Sequence, residues 1–160
     1  MEAPTCNCGL VSRLTNGKEI YPHRPDLHSK AIYVCDGCGG RVGCHPGTTN
    51  PLGTPADAEL RNARMKVHEL MDPIWKTAEK SPCYSDGKDR KAIKIIRRAA
   101  RSRVYAYLAH HMKMDRSETH TGMFNMQQCR EAYRLLMRKT YSDIRAFSKE
   151  QKANEKSEAA

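Results

Sequence analysis

The sequence predicts an α+β fold, in which a small N-terminal β module packs on a bundle of about three α-helices. Eight of the ten glycines and five of the seven cysteines lie in the first 55 residues, which argues against long helices there. From residue 56 onward, apolar residues recur at the three- and four-residue spacing of amphipathic helices. We therefore predict a β module over 1–55, a helical domain over 56–147 and a disordered tail over 148–160, which lacks large apolar residues.

Short runs in the first segment indicate β-strands. Residues 10–14, 19–21 and 31–34 alternate or cluster apolar side chains. The Asn16-Gly17 dipeptide is typical of a tight hairpin turn, because both residues tolerate positive φ. We expect a small antiparallel sheet with loops at its ends.

Three helices are predicted in the second segment. The first begins after Pro55 and is expected to kink or restart near Asp72, because Pro73 cannot donate a backbone hydrogen bond. The second is predicted from about residue 88 to residue 113. The third is predicted to follow Asn125, which has the side chain of a helix N-cap.

The cysteines suggest a metal site. No signal peptide and no apolar run near the roughly 20 residues of a membrane span is visible, so we expect a cytoplasmic protein. In a reducing compartment seven cysteines are better explained by metal binding than by disulfides. Cys35 and Cys38 form a C-x-x-C-G turn, which presents two thiolates to one tetrahedral zinc ion.

The second half of the zinc site is predicted to be Cys6 and Cys8, which a 26-residue excursion separates from the first pair. Two cysteine pairs that bind one ion across a small sheet are typical of a zinc ribbon, in which the Zn²⁺ is structural. The one-residue spacing of Cys6 and Cys8 is tight, so other ligands remain open. Those alternatives are Cys44, His45, His23 and His28. The isolated Cys83 and Cys129 are predicted to pack in the core.

Positive charge is concentrated in one segment. Residues 81–113 hold nine basic and two acidic residues, which is seven of the ten net charges of the chain. Four cations share one helical face there: Lys94, Arg97, Arg98 and Arg101. The pattern favours nucleic-acid binding through backbone phosphates, with no sequence preference implied. An adaptor or inhibitor that binds an acidic surface of a host protein is the alternative.

A second alternative is an enzyme, a hydrolase or nuclease that acts on a phosphate-containing substrate. Arg64 and His68 share a helix face with Asp72, and a histidine beside these groups has the chemistry of a general base. His45 and His120 would complete such a cleft. The competing interpretation is a hydrogen-bond and ion-pair network that holds the β module on the helices.

Four strings in the sequence form a recognisable combination of motifs. They are Tyr33-x-Cys35-x-x-Cys38, Val42-Gly43-Cys44-His45-Pro46-Gly47-Thr48, Leu60-Arg61-x-x-Arg64-x-x-x-His68-x-x-x-Asp72-x-x-Trp75 and His120-Thr121-Gly122-Met123-Phe124. With these motifs the chain, up to about residue 138, resembles a family of zinc-finger-containing proteins of unknown function found largely in bacteriophages and prophages. The resemblance implies zinc binding through Cys35 and Cys38 and a phage or bacterial origin, and it implies no activity.

Overall fold

The computed structural model describes residues 2–85 and 89–158, which divide into two units. Unit 1 is formed by residues 2–64 and 121–126, and unit 2 by the remaining described residues. The sequence predicts a boundary near residue 55, and the structure differs from this. The first turns of the following helix and a later hexapeptide belong to unit 1, because Arg64 hydrogen-bonds to Phe124 there.

Unit 1 contains the predicted antiparallel sheet. Its strands are β1 (Arg13–Asn16), β2 (Ala31–Val34) and β3 (Arg41–Gly43), in the order β1-β2-β3. In the centre of the sheet, Tyr33 lies opposite Leu14 on β1 and Val42 on β3. Because the central strand is apolar and buried, it supplies most of the interior of the sheet.

Asn16 and Gly17 begin a short helix and do not form the predicted hairpin turn. This helix is α1 (Gly17–Ile20), and the Asn16 side chain accepts hydrogen bonds from the amides of Lys18 and Glu19. A Cβ on Gly17 would lie 1.8 Å from the carbonyl oxygen of Leu27, so only glycine fits. The dipeptide therefore starts a longer connection between β1 and β2, in which Asn16 is an N-cap.

Four longer helices follow among the described residues. They are α2 (Ala58–Lys76), α3 (Arg90–Met112), α4 (Met126–Leu136) and α5 (Tyr141–Glu158). Asp57 caps α2 by accepting from the amide of Leu60, and Asp89 caps α3 by accepting from the amide of Ala92. The predicted start of the second helix, near residue 88, lies outside the described residues. As predicted, α4 begins directly after Asn125.

Two sequence predictions about these helices differ from the structure. Helix α2 does not restart near Asp72 but continues through Pro73 to Lys76, and Thr77 then donates its amide and hydroxyl to the Pro73 carbonyl. The segment from residue 148, predicted to be a disordered tail, continues α5 as far as Glu158. The α+β class is confirmed, with one more long helix in the described chain than the three expected.

The interior of unit 2 is formed by the apolar faces of its helices. Their fully buried side chains are Val67, Met71, Ala100, Val104, Leu108, Ala132, Leu136 and Ile144. Helices α3 and α5 contact each other along this interior. No helix in the described part of the chain combines the length and apolar character needed to cross a lipid bilayer.

Candidate metal centre and the cationic helix

The two cysteine pairs of unit 1 converge as the sequence predicts. Their four Sγ atoms, from Cys6, Cys8, Cys35 and Cys38, all lie within 4.8 Å of one another. The closest separations are 3.5 Å, between Cys6 and Cys38 and between Cys8 and Cys35. The first pair lies in the turn closed by the bridge between Thr5 and Val11, and the second lies in the turn between β2 and β3.

Backbone amides face the sulfur atoms of this four-cysteine cluster. The amide of Cys38 donates to the Cys35 sulfur and is the largest cause of a lowered pKa, about 7, for that thiol. Burial raises the pKa of Cys6 to about 12, which the hydrogen bond from the amide of Cys8 partly offsets. Amides aimed at sulfur stabilise the thiolate form, which is the form that binds a metal.

The geometry of the cluster fits a tetrahedral zinc ion. Zn–S bonds of about 2.3 Å place the sulfurs of a regular tetrahedron about 3.8 Å apart. The observed separations, from 3.5 Å to within 4.8 Å, bracket that distance. Two of the cysteines are buried and two are exposed, so the site lies at the surface of unit 1. Four protein thiolates close the coordination sphere, which is typical of a structural site and leaves no position for substrate.

Gly40 makes room for the cluster. A Cβ at this position would lie 3.0 Å from the Cys6 sulfur and 3.1 Å from the Cys38 sulfur. Its carbonyl also accepts from the amide of Cys35 at 2.7 Å, which closes the turn that carries the second pair. The sequence pattern identified the C-x-x-C-G turn, but the role of the next glycine depends on the first pair and became visible only in the structure.

The other cysteines and the alternative ligands stand outside this cluster. In the described chain the group of ligand atoms contains neither Cys44 nor His45 nor His23. Cys129 is buried, as predicted. Cys83 differs from its prediction, since it is only half-buried and its thiol lies beside the hydroxyl of Ser142. The hydroxyl of Ser81 is the first cause that lowers the pKa of Cys83 to about 7.

The four predicted cations all lie on α3, but their side chains have different surroundings. Lys94, Arg98 and Arg101 are exposed. Arg97 instead donates to both oxygens of the Glu79 carboxylate, at 3.0 and 2.5 Å, and this ion pair offsets its charge. Arg103, also on α3, donates to the Tyr141 hydroxyl at 2.6 Å.

The residues considered for an enzymatic cleft lie in different units. His45 and Arg64 belong to unit 1, and His68 and His120 belong to unit 2. The Arg64 guanidinium is buried, where it donates to the carbonyl and hydroxyl of Thr54. His45 lies in an exposed loop that lines a hollow of about 730 Å³.

The two histidines of unit 2 have separate neighbours within that unit. The Nδ1 atom of His68 lies 3.7 Å from a carboxylate oxygen of Asp72. His120 stacks on Tyr105, with ring centroids 5.7 Å apart. Within unit 1, the hydrogen bonds of Arg64 join Thr54 to Phe124.

Some contacts of the cationic helix could not be found by sequence spacing. Glu79 lies 18 residues before its partner Arg97. Arg101 lies over the ring of Trp75 on another helix, and Arg116, beyond the end of α3, lies over the ring of Tyr105. Helical periodicity gives only neighbours on the same helix, so no signal in the sequence indicates these three partners.

The cluster of four thiols on a three-stranded sheet defines a zinc-finger type of protein. The chain belongs to the zinc-finger-containing domain family DUF3268, which matches residues 3–139. Neither a curated protein nor a solved structure shows significant similarity to the chain.

Proposed function

We propose that this protein binds nucleic acid through the phosphate backbone, using helix α3, while a structural zinc ion holds unit 1 together. One observation carries the proposal: α3 contains seven lysines and arginines and no acidic residue between Arg90 and Met112. Zinc binding itself rests on separate grounds, which are the four-cysteine cluster and membership in a zinc-finger-containing family.

Three of the α3 cations are available for a partner. Lys94, Arg98 and Arg101 are exposed, and within the described part of the chain none of them forms an ion pair with a carboxylate. They occupy positions i, i+4 and i+7, so they lie along one side of the helix. Like charges at this spacing repel one another in the free protein, and a row of phosphates across the helix removes that cost.

Helix α5 shows that the absence of acidic residues from α3 is not a general feature of the chain. Over its 18 residues, α5 mixes basic residues with acidic ones such as Asp143, Glu150 and Glu155. A solvated helix face ordinarily alternates charge in this way. The charged side chains of α3 are all positive, which supports a polyanionic partner and is more than solubility requires.

We also propose a bacterial cytoplasmic setting connected with phages or prophages. The support for the phage connection is the resemblance carried by the motifs between Tyr33 and Phe124. The support for the compartment is chemical, because free thiols that bind zinc persist where the surroundings are reducing.

The proposal is tested by fluorescence anisotropy with short labelled DNA and RNA, single- and double-stranded, over a range of potassium chloride concentrations. The variant replaces Lys94, Arg98 and Arg101 together with glutamine. We expect the wild type to bind with a steep salt dependence. For duplex DNA we expect the slope of log K against log salt to fall in magnitude by about 2 to 3 in the variant, since about 0.9 is lost per phosphate contact.

The matched control replaces Lys149, Lys152 and Lys156 on α5 with glutamine, which removes the same charge from exposed positions. We expect this control to keep most of the wild-type salt slope. Equal loss in both triple variants would show that net charge alone attracts the nucleic acid. Absence of salt-dependent binding by the wild type would refute the proposal.

A further inference from the structure

The arginines of α3 differ in what holds their side chains. Arg97 donates to the Glu79 carboxylate from two of its nitrogens, and Arg103 donates to the Tyr141 hydroxyl from one. Arg101 is held differently, because its guanidinium carbon lies 5.6 Å from the centre of the Trp75 ring and 5.8 Å from the centre of the Tyr105 ring. In the described residues, Arg101 forms no ion pair and donates no hydrogen bond to another side chain.

Contact with aromatic rings holds a guanidinium without using its hydrogen-bond donors. The five N–H groups of arginine lie in the plane of the guanidinium, while cation–π attraction acts between the guanidinium and the ring. A side chain held in this way has already lost much of its rotational freedom, so less side-chain entropy is lost when it binds a ligand. The planar fork then matches two oxygens of one phosphate.

The rings that hold Arg101 are themselves fixed. The indole N–H of Trp75 donates to Asp72 at 3.0 Å, and Asp72 also accepts from Lys76 at 2.7 Å. Tyr105 is only 4% exposed, and its ring is nearly parallel to the ring of His120. Arg101 therefore rests on a prearranged surface within unit 2.

A second guanidinium reaches the same tyrosine from another segment. Arg116 follows the end of α3, is exposed, and has its guanidinium carbon 5.2 Å from the centre of the Tyr105 ring. In the part of the chain that the structure describes, no carboxylate forms an ion pair with Arg116 or with Arg101. Both guanidinium carbons lie within 5.8 Å of the centre of the Tyr105 ring. Like charges near one ring repel each other, and an anion that contacts both relieves the repulsion.

We propose that Arg101 and Arg116, gathered on the rings of Trp75 and Tyr105, form a two-guanidinium clamp for the phosphodiester backbone of a nucleic acid. Arg101 is the anchor and Trp75 is its positioning residue. This inference rests on the proposed function and adds to it, because it makes one arginine of α3 more important than its equally charged neighbours. It also brings in Arg116, which lies outside the charged helix.

The test uses substitutions that keep the charge. Arg101→Lys is compared with Arg98→Lys in the full-length, zinc-loaded protein, with labelled duplex and single-stranded DNA as probes. We expect Arg101→Lys to weaken binding about tenfold, because lysine offers a point charge in place of a bidentate fork. We expect Arg98→Lys to weaken binding by a smaller factor, about two, because lysine keeps the charge with which Arg98 contacts phosphate. The salt slope should be unchanged in both variants, since no charge is removed.

Three further variants test the other residues of the clamp. Arg116→Lys, at an exposed position away from the helix, should weaken binding in the same direction as Arg101→Lys. Trp75→Leu should reproduce the loss seen with Arg101→Lys, whereas Trp75→Phe should recover most of the affinity, because a ring face is restored. Thermal unfolding of each variant separates loss of binding from loss of folding.

The outcomes distinguish the two proposals. If the wild type binds no nucleic acid, the proposed function fails and the clamp fails with it. The wild type could bind while Arg101→Lys and Arg116→Lys match Arg98→Lys and all three variants remain folded. In that case the proposal of binding through α3 is supported and the clamp is refuted. If Trp75→Phe is as weak as Trp75→Leu while both remain folded, the ring does not position Arg101, and that part of the proposal is wrong.

Discussion

At the scale of single residues, Gly40 lets the two cysteine pairs approach each other. The sulfurs of Cys6 and Cys38 lie 3.0 and 3.1 Å from the place where a Cβ would be, and the carbonyl carbon of Ala56 lies at 3.3 Å. A bound metal fixes the positions of both sulfurs, so they cannot move aside as a flexible side chain would. Packing of backbone against the site is therefore part of the metal centre.

We expect Gly40→Ala to destabilise the zinc-loaded protein by about 1 to 3 kcal/mol, the range found for overpacking. The same variant should release zinc to a competing chelator faster than the wild type does. Denaturant unfolding and a colorimetric zinc assay measure the two effects.

Gly43→Ala provides the control, because a Cβ there would meet only the Leu52 side chain, at 3.8 Å. We expect it to retain wild-type stability within about 0.5 kcal/mol. Identical behaviour of the two alanine variants would mean that Gly40 has no special relation to the sulfur atoms.

At the scale of elements, α5 depends on its first turn. The Asp143 carboxylate accepts hydrogen bonds from the amide and hydroxyl of Thr140, at 2.8 and 2.7 Å, and the Asp143 amide donates back to that hydroxyl. This reciprocal arrangement satisfies amides that the helix leaves unpaired. It explains how α5 begins at Tyr141, although most of its later residues are polar and exposed.

Asp143→Ala is expected to lower the free energy of unfolding by about 1 kcal/mol and to increase amide exchange near Ile144. Hydrogen bonds from Thr140 hold the pKa of the Asp143 carboxyl below its usual range. A lowered carboxyl pKa stabilises the fold at any pH above the usual value of about 4, and that contribution is lost as the pH falls through the lowered value. The destabilisation should therefore be the same at pH 6 and pH 8. A clear difference between these two pH values would contradict the role given to the carboxylate.

At the scale of the whole molecule, the two units are stabilised by different means. The sheet of unit 1 has strands of three or four residues, too short for a sheet that is stable by itself. Zinc binding free energy acts as folding free energy for such a module. Unit 2 has an interior of helical apolar side chains, among them Leu108 and Ile144, and contains no part of the thiol cluster.

Zinc removal with a chelator is expected to unfold the sheet of unit 1 and to leave α3 and α5 helical. Hydrogen exchange should show lost protection at β2 and retained protection near Val104 and Leu108. Circular dichroism should keep most of the helical signal. A chelated protein in which β2 stays protected would show that the metal is not needed for folding, and complete loss of helix would show that unit 2 depends on unit 1.

A good part of the candidate site could be predicted from sequence, because its determinants are local. The spacing of Cys35 and Cys38 places both sulfurs in one turn, and the structure brings them within 4.8 Å of the sulfurs of Cys6 and Cys8. The end of α3, at Met112, lies within one residue of the predicted end, because apolar periodicity acts over a few residues. The prediction at Asn16 and Gly17 was wrong because the local pattern is ambiguous. The same dipeptide suits either a hairpin turn or a helix N-terminus.

By itself the sequence determined the class of fold, the four cysteines that converge and the helix that bears most of the net charge. Only the tertiary structure decided which charges stay available, since Arg97 meets Glu79 while Arg101 rests on Trp75. It also decided that the hexapeptide 121–126 completes unit 1, through the hydrogen bond from Arg64 to Phe124, 60 residues away. The physical reason is the same in each case. Backbone propensity and motif spacing act over one or two turns, whereas partners distant in sequence are chosen by packing of the folded chain.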